Sequence, residues 1–291
     1  MYFSIIIPTY NNAVLLKRTL NSIENQNGKN FELIVVDNHS KDETDEIIKK
    51  CSVENLIYKK INNEGVIAKS RNLGIKFSKG DWLIFLDSDD LLHENKINFL
   101  NNNLTKEYDL VCNAEKIVNL DTGADKIWKY GPLKKNFYQK MLTIGNQFST
   151  SASVVKKDFI IQHSIYFNEK KDFITAEDYD FFLNLVNFGA KIKFFDNILG
   201  EHSFYKGSQS SNYNLHKNAV KSVLKHHVFK IQNFSQKKEK LWKSLEWRFI
   251  LMDFIKNFKE KKYVKSLKYF FQAFYLSPIM VLIFFLKKIK I

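Results

Sequence analysis

Cysteine is scarce in this chain, which has only Cys51 and Cys112 among its 291 residues. Two cysteines without a C-x-x-C spacing argue against a disulfide framework and a cysteine-based zinc site, and they predict a reducing compartment. No secretory leader is expected, because Met1 to Ser4 carries no basic residue and the apolar run that follows stops at Pro8. Internal repeats and Gly/Ser-rich linkers are also missing. The length predicts one large domain or two small ones, and 45% hydrophobic residues are enough for a core.

Acidic residues are scarce only in the last third of the chain. Residues 206–291 hold 19 Lys and Arg against 4 Asp and Glu, a net charge of +15, whereas residues 1–205 hold 26 against 27. This split predicts a near-neutral catalytic domain over 1–205 and a basic helical region over 206–291. No recognisable nucleic-acid-binding module accompanies the charge, so a nucleic-acid partner is not expected.

Short apolar runs alternate with helical patterns in the first 110 residues, which is typical of βαβ units around a parallel sheet. The predicted strands are Phe3–Ile7, Leu33–Val36, Leu56–Tyr58 and Trp82–Leu86. Helices are predicted after Asn11 or Asn12 as the cap, over Asp42–Ile48, and within Asn63–Phe77. Ligands of such sheets bind at the carboxyl ends of the strands. Residues 1–110 are therefore the expected ligand-binding half.

Residues 111–205 carry a different pattern and form the second half of the predicted domain. Strand-like pieces, Leu110–Cys112 at its start and Lys191–Phe195 near its end, surround an irregular stretch, and Glu177–Phe188 looks helical. The predicted fold class is thus α/β, with a Rossmann-like, mostly parallel sheet, flanking helices and a helical basic tail.

Three carboxylates, Asp87, Asp89 and Asp90, follow the buried strand Trp82–Leu86. Carboxylates so close repel one another unless a cation neutralises them, and hard oxygen ligands suit Mg²⁺ or Mn²⁺. The alternative is a solvated acidic turn in which Asp90 caps a following helix. The position after a buried strand favours the metal.

Four stretches in a fixed order together resemble the family 2 glycosyltransferases, which are inverting enzymes with the GT-A fold. The resemblance covers about residues 3 to 205. The stretches are Ser4–Asn11 (SIIIPTYN), Ile34–Asp42 (IVVDNHSKD), Asn63–Gly65 through Arg71–Gly74 (NEG…RNLG) and Phe85–Asp90 (FLDSDD). The resemblance implies that Pro8, Thr9 and Tyr10 line the nucleotide.

It also implies that Asp37 accepts the N3–H of uracil or thymine, and that Arg71 binds the pyrophosphate or ribose. The alternatives are a turn-capping aspartate and a surface arginine. In the acidic turn, Asp87 and Ser88 are assigned to the nucleotide sugar and Asp89 to the metal, which stabilises charge on the departing diphosphate.

An inverting transfer also needs a base for the acceptor hydroxyl. The segment Ala176–Asp180 (AEDYD) resembles the family's E-D motif, and Asp178 is the expected base, with Glu177 and Asp180 as the nearest alternatives. The remaining alternative is a set of acidic residues that only complements the helix dipole.

The resemblance weakens after Gly200, where the family often has a metal-binding histidine. Aligning Gly207–Ser210 with the family's Ser-x-Ser segment puts Tyr205 in the histidine position. His202 reaches the metal only with a slipped register, and the alternative is a structural histidine.

The tail contains Tyr269–Leu286, eighteen residues without a charge between Lys268 and Lys287. Its polar interruptions and the lysines at both ends favour a segment lying on an anionic membrane surface over a spanning helix. The alternative is a helix packed on the body or on a second subunit of a homo-oligomer.

The sequence therefore predicts a metal-dependent inverting glycosyltransferase at the cytoplasmic face of the cell membrane. Its expected partners are a UDP- or dTDP-sugar donor and a glycan or lipid-linked saccharide acceptor. A glycoside hydrolase and a membrane-docked, non-catalytic nucleotide-sugar-binding scaffold are the alternatives.

Overall fold

The computed structural model describes residues 1–207, 212–234 and 237–289, without the side chains of residues 280 and 287–289. Two compact units make up the chain, Met1–Asn212 and Tyr213–Ile291. The functions assigned from sequence to 1–205 and 206–291 stay predictions.

One nine-stranded sheet forms the centre of the first unit. Its strands run in the order β3-β2-β1-β4-β8-β6-β9-β5, and β7 pairs with β6. The strands are β1 (Phe3–Thr9), β2 (Phe31–Asp37), β3 (Leu56–Lys60), β4 (Trp82–Phe85), β5 (Leu91–Leu92), β6 (Leu110–Asn119), β7 (Asp125–Trp128), β8 (Ser153–Lys156) and β9 (Ile192–Phe204).

The parallel part of the sheet is β3-β2-β1-β4, to which β8 is added antiparallel. Every residue of β1, β2 and β4 is buried, as expected for strands covered by helices on both faces. Further along the sheet, β6 and β9 pair in parallel. The predicted fold class, a mostly parallel sheet with flanking helices and a helical C-terminal region, is confirmed.

The sequence suggested that β1 ends at Pro8, but the strand continues to Thr9. Pairing of β1 with β4 stops at Ile6, whereas pairing with β2 extends through Thr9. Proline lacks an N–H, and it fits here because β4 no longer lies beside that part of β1.

Seven helices of the first unit surround the sheet. They are α1 (Ala13–Glu24), α2 (Thr44–Lys50), α3 (Ile67–Phe77), α4 (Lys96–Asn103), α5 (Phe137–Ile144), α6 (Lys157–Gln162) and α7 (Glu177–Asn187). Asn12 occupies the N-cap position of α1, but its side chain makes no capping bond. Asp42 caps this helix instead, since its Oδ2 accepts the N–H of Ala13 at 2.9 Å.

Beyond residue 212 the described chain is helical, as expected. Its helices are α8 (Tyr213–His226), α9 (Lys238–Lys259), α10 (Tyr263–Leu276) and α11 (Pro278–Ile289), with a π-helical turn at His227–Ile231. The charge-free run Tyr269–Leu286 is not one element, because Pro278 starts a new helix within it. Over the described residues, no helix is both long and apolar enough to cross a membrane.

Candidate active site

The acidic turn follows β4, at the carboxyl end of the parallel sheet. The N–H of Leu86 bonds to the carbonyl of Ile6 at 3.0 Å, and the turn closes with a 3.1 Å bond from the N–H of Asp90 to the carbonyl of Asp87. Asp87 and Asp89 are partly exposed there. The neighbouring Ser88 is bound by Asn12, the N-cap residue of α1, and by Thr19 within α1. Asn12 Nδ2 lies 3.1 Å from Oγ of Ser88, and Thr19 Oγ1 lies 3.0 Å from the carbonyl oxygen of Ser88.

Asp90 does not cap a helix, and that expectation is wrong. The residues after it form strand β5, and its carboxylate is fully buried. Oδ1 accepts the N–H of Ser203 at 2.7 Å, and Oδ2 accepts the hydroxyl of Ser151 at 2.5 Å. Asp90 therefore fixes the acidic turn to β9 and to the segment before β8.

His202 and Tyr205 both reach the acidic turn, but each contacts a different carboxylate. Nδ1 of His202 lies 3.1 Å from Oδ2 of Asp90, and the charge of Asp90 raises the pKa of His202 to about 10. The hydroxyl of Tyr205 donates to Asp89 instead. A pKa of about 10 leaves a proton on Nε2 near neutral pH, so metal binding by Nε2 would have to release that proton, while the bond from Nδ1 to the carboxylate orients the ring as around many metals. Residues 208–210, on which the alignment of Tyr205 rests, lie outside the described residues.

The donors at the turn suit a hard cation in their chemistry. Burial, followed by the charges of Asp90 and Asp87, raises the pKa of Asp89 to about 7. Burial is the first cause and neighbouring negative charge the second, and a divalent cation bound by carboxylate oxygens would favour the charged form of Asp89 against both. Within residues 1–207, 212–234 and 237–289, no three His, Cys, Asp or Glu side chains already form a set that could hold a metal ion. The residues at the turn therefore offer suitable ligand atoms for a divalent cation, but in the described residues they are not already arranged as a metal-binding set.

Arg71 lies almost fully buried on α3, with 3% of its surface exposed, so the surface-arginine alternative is excluded. Its Nη2 lies 2.7 Å from Oδ1 of Asp87, and its Nη1 lies 2.7 Å from Oε1 of Glu177. The guanidinium carbon is 5.2 Å from the centre of the Phe167 ring. Arg71 therefore joins the acidic turn to the first turn of α7.

The residues expected around the nucleotide differ in their access to solvent. Asp37 is fully buried, and its carboxylate accepts bonds from the N–H and hydroxyl of Ser40 and, at 3.0 Å, from the hydroxyl of Tyr58. Thr9 lies beside Asp37 in the sheet and is 5% exposed, whereas Tyr10 is 55% exposed.

Pro8 is also buried. Of the three strand-end residues expected to line the nucleotide, Tyr10 offers the accessible surface. A base that contacts Asp37 requires the turn at Ser40 to move.

The three acidic residues at the start of α7 have separate environments. Glu177 binds Arg71, and Asp180 is 1% exposed. Asp178 is partly exposed, and its Oδ2 accepts a 3.0 Å bond from Nδ2 of Asn146. Burial, followed by the charge of Glu177, raises the pKa of Asp178 to about 7. Asp178 is the one of the three with partial exposure, and its raised pKa suits a group that accepts a proton near neutral pH.

Three functional neighbours gave no sequence signal. Asn146 contacts Asp178, and Ser151 accepts the N–H of Asp87 at 3.2 Å. Lys96 is a fully buried lysine whose Nζ donates to the carbonyl of Ser151 at 2.8 Å, and burial lowers its pKa to about 8. All three contacts join segments far apart in the chain, so no local spacing could have indicated them.

Comparison with known proteins gives a consistent family. The model for "Glycosyl transferase family 2" matches residues 4–160. Poly(ribitol-phosphate) beta-N-acetylglucosaminyltransferase TarP of Staphylococcus aureus (strain N315) is 34% identical over 202 residues, which are 65% of this chain and 59% of TarP. The minor teichoic acid biosynthesis protein GgaB of Bacillus subtilis (strain 168) is 36% identical over 119 residues, 38% of this chain and 13% of GgaB. The alignments thus span only part of these relatives.

Solved structures share the fold at low sequence identity. S. aureus TarS 1–349 in complex with UDP aligns with a TM-score of 0.62 at 21% identity, over 97% of this chain and 82% of that one. The mannosyltransferase PcManGT from Pyrobaculum calidifontis, in complex with GDP-Man and Mn²⁺, aligns with a TM-score of 0.61 at 14% identity, over 99% and 79%.

Proposed function

The chain belongs to glycosyl transferase family 2, and from that membership we propose that it is an inverting enzyme of the GT-A type. It moves a sugar from a nucleotide sugar, with UDP as the first nucleotide to test and dTDP as the second, to a hydroxyl group of a surface or lipid-linked glycan. The observation that supports this best is the bridge through Arg71, which ties the donor-side carboxylate Asp87 to the helix that carries Asp178.

Asp178 acts as the base. An acceptor hydroxyl attacks the anomeric carbon from the face opposite the diphosphate, the bond from that carbon to the diphosphate oxygen breaks, and the hydroxyl proton passes to the carboxylate of Asp178. Asn146 and Arg71 orient this end of the site through the contacts described above. Asp87, Ser88 and the exposed ring of Tyr10 hold the donor.

A divalent cation, Mn²⁺ or Mg²⁺, belongs to this proposal. Asp89 and Nε2 of His202 would hold it, and it would supply Lewis-acid stabilisation of the departing diphosphate. Two proteins of similar fold support the donor class, since TarS has been solved with UDP and PcManGT with GDP-Man and Mn²⁺.

Turnover of the purified protein tests the proposal directly. We expect release of a nucleoside diphosphate from a member of a nucleotide-sugar panel, beginning with UDP-GlcNAc, in the presence of Mn²⁺. Asp178→Asn should bind UDP but lose turnover, whereas Asp172→Asn, in the neighbouring 3₁₀ turn, should retain it. Unchanged activity in EDTA and in Asp89→Ala would contradict the metal, and UDP binding without turnover would favour the scaffold. Cleavage of a glycoside without any nucleotide would favour a hydrolase.

The membrane surface is the second part of the proposal. Helices α9, α10 and α11 share a small core that includes Trp247, Leu251, Ala273 and Val281. Other apolar side chains of the same helices face solvent, among them Val264 at 87%, Tyr275 at 88% and Ile279 at 70% exposure. With a net charge of +15 over residues 206–291, this pattern suits peripheral binding to anionic lipid at the cytoplasmic face of the membrane. Packing against a second copy of the chain is the alternative.

A further inference from the structure

The hairpin β6–β7 extends the sheet sideways from the strand that carries His202. Across β9, β6 and β7, His202 pairs with Ile117, and Ile117 pairs with Lys126. Glu115, two residues before Ile117, pairs with Trp128. Paired residues point to the same face of a sheet, and so do residues two apart in a strand. His202, Glu115, Lys126 and Trp128 therefore share one face.

Side-chain contacts agree with this register. Nδ1 of His202 is bonded to Asp90 of the acidic turn, so this is the face that looks toward the candidate active site. Nζ of Lys126 lies 4.9 Å from the centre of the Trp128 ring. Two strand spacings separate β9 from β7, and Trp128 is offset by two residues along the strand, so its Cα lies about 12 Å from that of His202.

Between them lies the carboxylate of Glu115, whose Oε1 is buried without a hydrogen-bond partner in the described part of the chain. Glu115 is fully buried, and its Oε2 accepts the hydroxyl of Tyr130 at 2.8 Å. The accessible part of this strip is at its outer end, where Trp128 is 40% exposed and all four residues of β7 are exposed. The exposed part of the Trp128 ring is therefore accessible to a ligand.

Lysines are concentrated in the chain from β7 onward, although Lys129 is paired with Asp196. Residues 126–155 contain five lysines and no aspartate or glutamate, although residues 1–205 as a whole are nearly neutral. The same segment continues to Asn146, which is bonded to Asp178. The sheet thus connects the strip with His202 beside the acidic turn. The face that carries Lys126 and Trp128 belongs to neither the proposed nucleotide site nor the proposed metal site, and its lysines suit an anionic ligand.

We propose that Trp128 and Lys126 form a subsite for the acceptor, and that this acceptor is an anionic chain linked by phosphodiesters. This inference rests on the proposed function. The indole face offers a stacking surface for the C–H groups of a sugar or polyol, and the ammonium group pairs with a phosphate of the next unit. The subsite holds the chain about 12 Å from His202, so that a hydroxyl group further along it reaches Asp178.

Lysines on an edge strand have another common role, because they discourage pairing with other chains. That role requires charge but no exposed tryptophan, and it gives no preference between acceptors. The two explanations therefore differ in the effect of Trp128 and in the response to an anionic polymer.

Binding of a fluorescent poly(ribitol phosphate) oligomer, followed by anisotropy, tests the subsite independently of turnover. The neutral probe is a labelled maltooligosaccharide of similar length. Trp128→Ala should weaken binding of the anionic oligomer by on the order of tenfold, as loss of one stacking contact does, and Lys126→Gln should weaken it and reduce its dependence on salt.

The matched controls are Ile127→Ala and Lys116→Gln. Ile127 is 58% exposed on the opposite face of β7, and Lys116 is its cross-strand partner on that same opposite face. Both variants should bind the oligomer like the wild type. If the wild type shows no preference for the anionic probe, or if Trp128→Ala matches Ile127→Ala, the subsite is refuted.

Kinetics separate this inference from the proposed function. With an active donor, the KM for the polymer should rise in Trp128→Ala while the KM for the nucleotide sugar does not follow. A wild type that turns over no nucleotide sugar refutes the proposed function, whereas normal turnover with a polymer KM insensitive to Trp128 refutes the subsite alone.

Discussion

Asp87 and Glu177 bind the same guanidinium group, that of Arg71, each at 2.7 Å. One partner lies in the acidic turn after β4 and the other in the first turn of α7. Because Arg71 and Glu177 are both buried, separating them would leave a buried charge without its partner. The geometry of the two halves of the site is therefore fixed by one residue of α3.

Replacing Arg71 by lysine tests this bridge. A lysine keeps the charge but cannot place two separate N–H groups on two carboxylates. We expect kcat/KM to fall on the order of 100-fold, as small misplacements of reacting groups do, and the melting temperature to fall as well. Breaking a buried ion pair costs about 3–5 kcal/mol.

Arg18→Lys is the matched control for that variant. Arg18 contacts Glu201 at 3.5 Å and is 41% exposed, so its ion pair should contribute about 0–1 kcal/mol. Equal loss of activity in both variants would mean that the Arg71 bridge has no special part in the site.

The pH dependence follows from the raised pKa of Asp178. A base must be deprotonated to act, so kcat/KM should rise with pH and level off above about 7. In Asn146→Ala the carboxylate loses a donor that favours its charged form, and the rising limb should move to higher pH. A profile that stays in place would argue against Asp178 as the base.

The contribution of Asp178 to the free energy of unfolding should fall with rising pH, whereas kcat/KM should rise. A carboxyl whose pKa is raised by folding stabilises the folded state below its unfolded pKa, near 3.8, and this contribution is lost as the pH rises toward 7. Thermal unfolding of Asp178→Asn should therefore give a gain over the wild type that grows between about pH 4 and pH 7. A gain that is the same at all pH values would contradict the assignment.

Much of the parallel half of the sheet was predictable because it depends on local pattern. Apolar runs of the right length end at Asp37 and at Asp87, and the strands lie where those runs lie. Contacts between distant segments were not predictable. Asp90 looked like a helix cap because its bonds to Ser151 and Ser203 come from segments with no regular spacing to it.

The same limit applies to the partners of Arg71 and Asp178. The charge of Arg71 and its position on α3 suggested a phosphate ligand, whereas its two bonds in the folded chain go to Asp87 and Glu177. A sequence shows that a charge is present, but the fold decides which opposite charge lies closest to it.

His202 and Tyr205 give different predictions for metal binding. If Nε2 of His202 is a ligand oriented by Asp90, His202→Ala should weaken binding of Mn²⁺ by about 10- to 100-fold, the usual effect of losing a ligand or its orienting partner. Tyr205→Phe removes only the donor to Asp89 and should have a smaller effect. Calorimetric titration of both variants with Mn²⁺ in the presence of UDP measures the difference. A larger loss in Tyr205→Phe would assign the position to Tyr205.

Membrane binding can be tested without disturbing the helical core of the second unit. Tyr275 and Ile279 are 88% and 70% exposed, so Tyr275→Ser with Ile279→Ser should leave the fold intact while removing about 3 kcal/mol of apolar burial, roughly a hundredfold in binding. Sedimentation with lipid vesicles measures the membrane binding of each variant. We expect the wild type to bind anionic vesicles and the double variant to remain in solution. Val14→Ser, at a residue 78% exposed in the first unit, should bind like the wild type. Equal binding to neutral and anionic vesicles would exclude an electrostatic contribution. If the double variant loses self-association but binds vesicles as before, the apolar surface is assigned to a second copy of the chain.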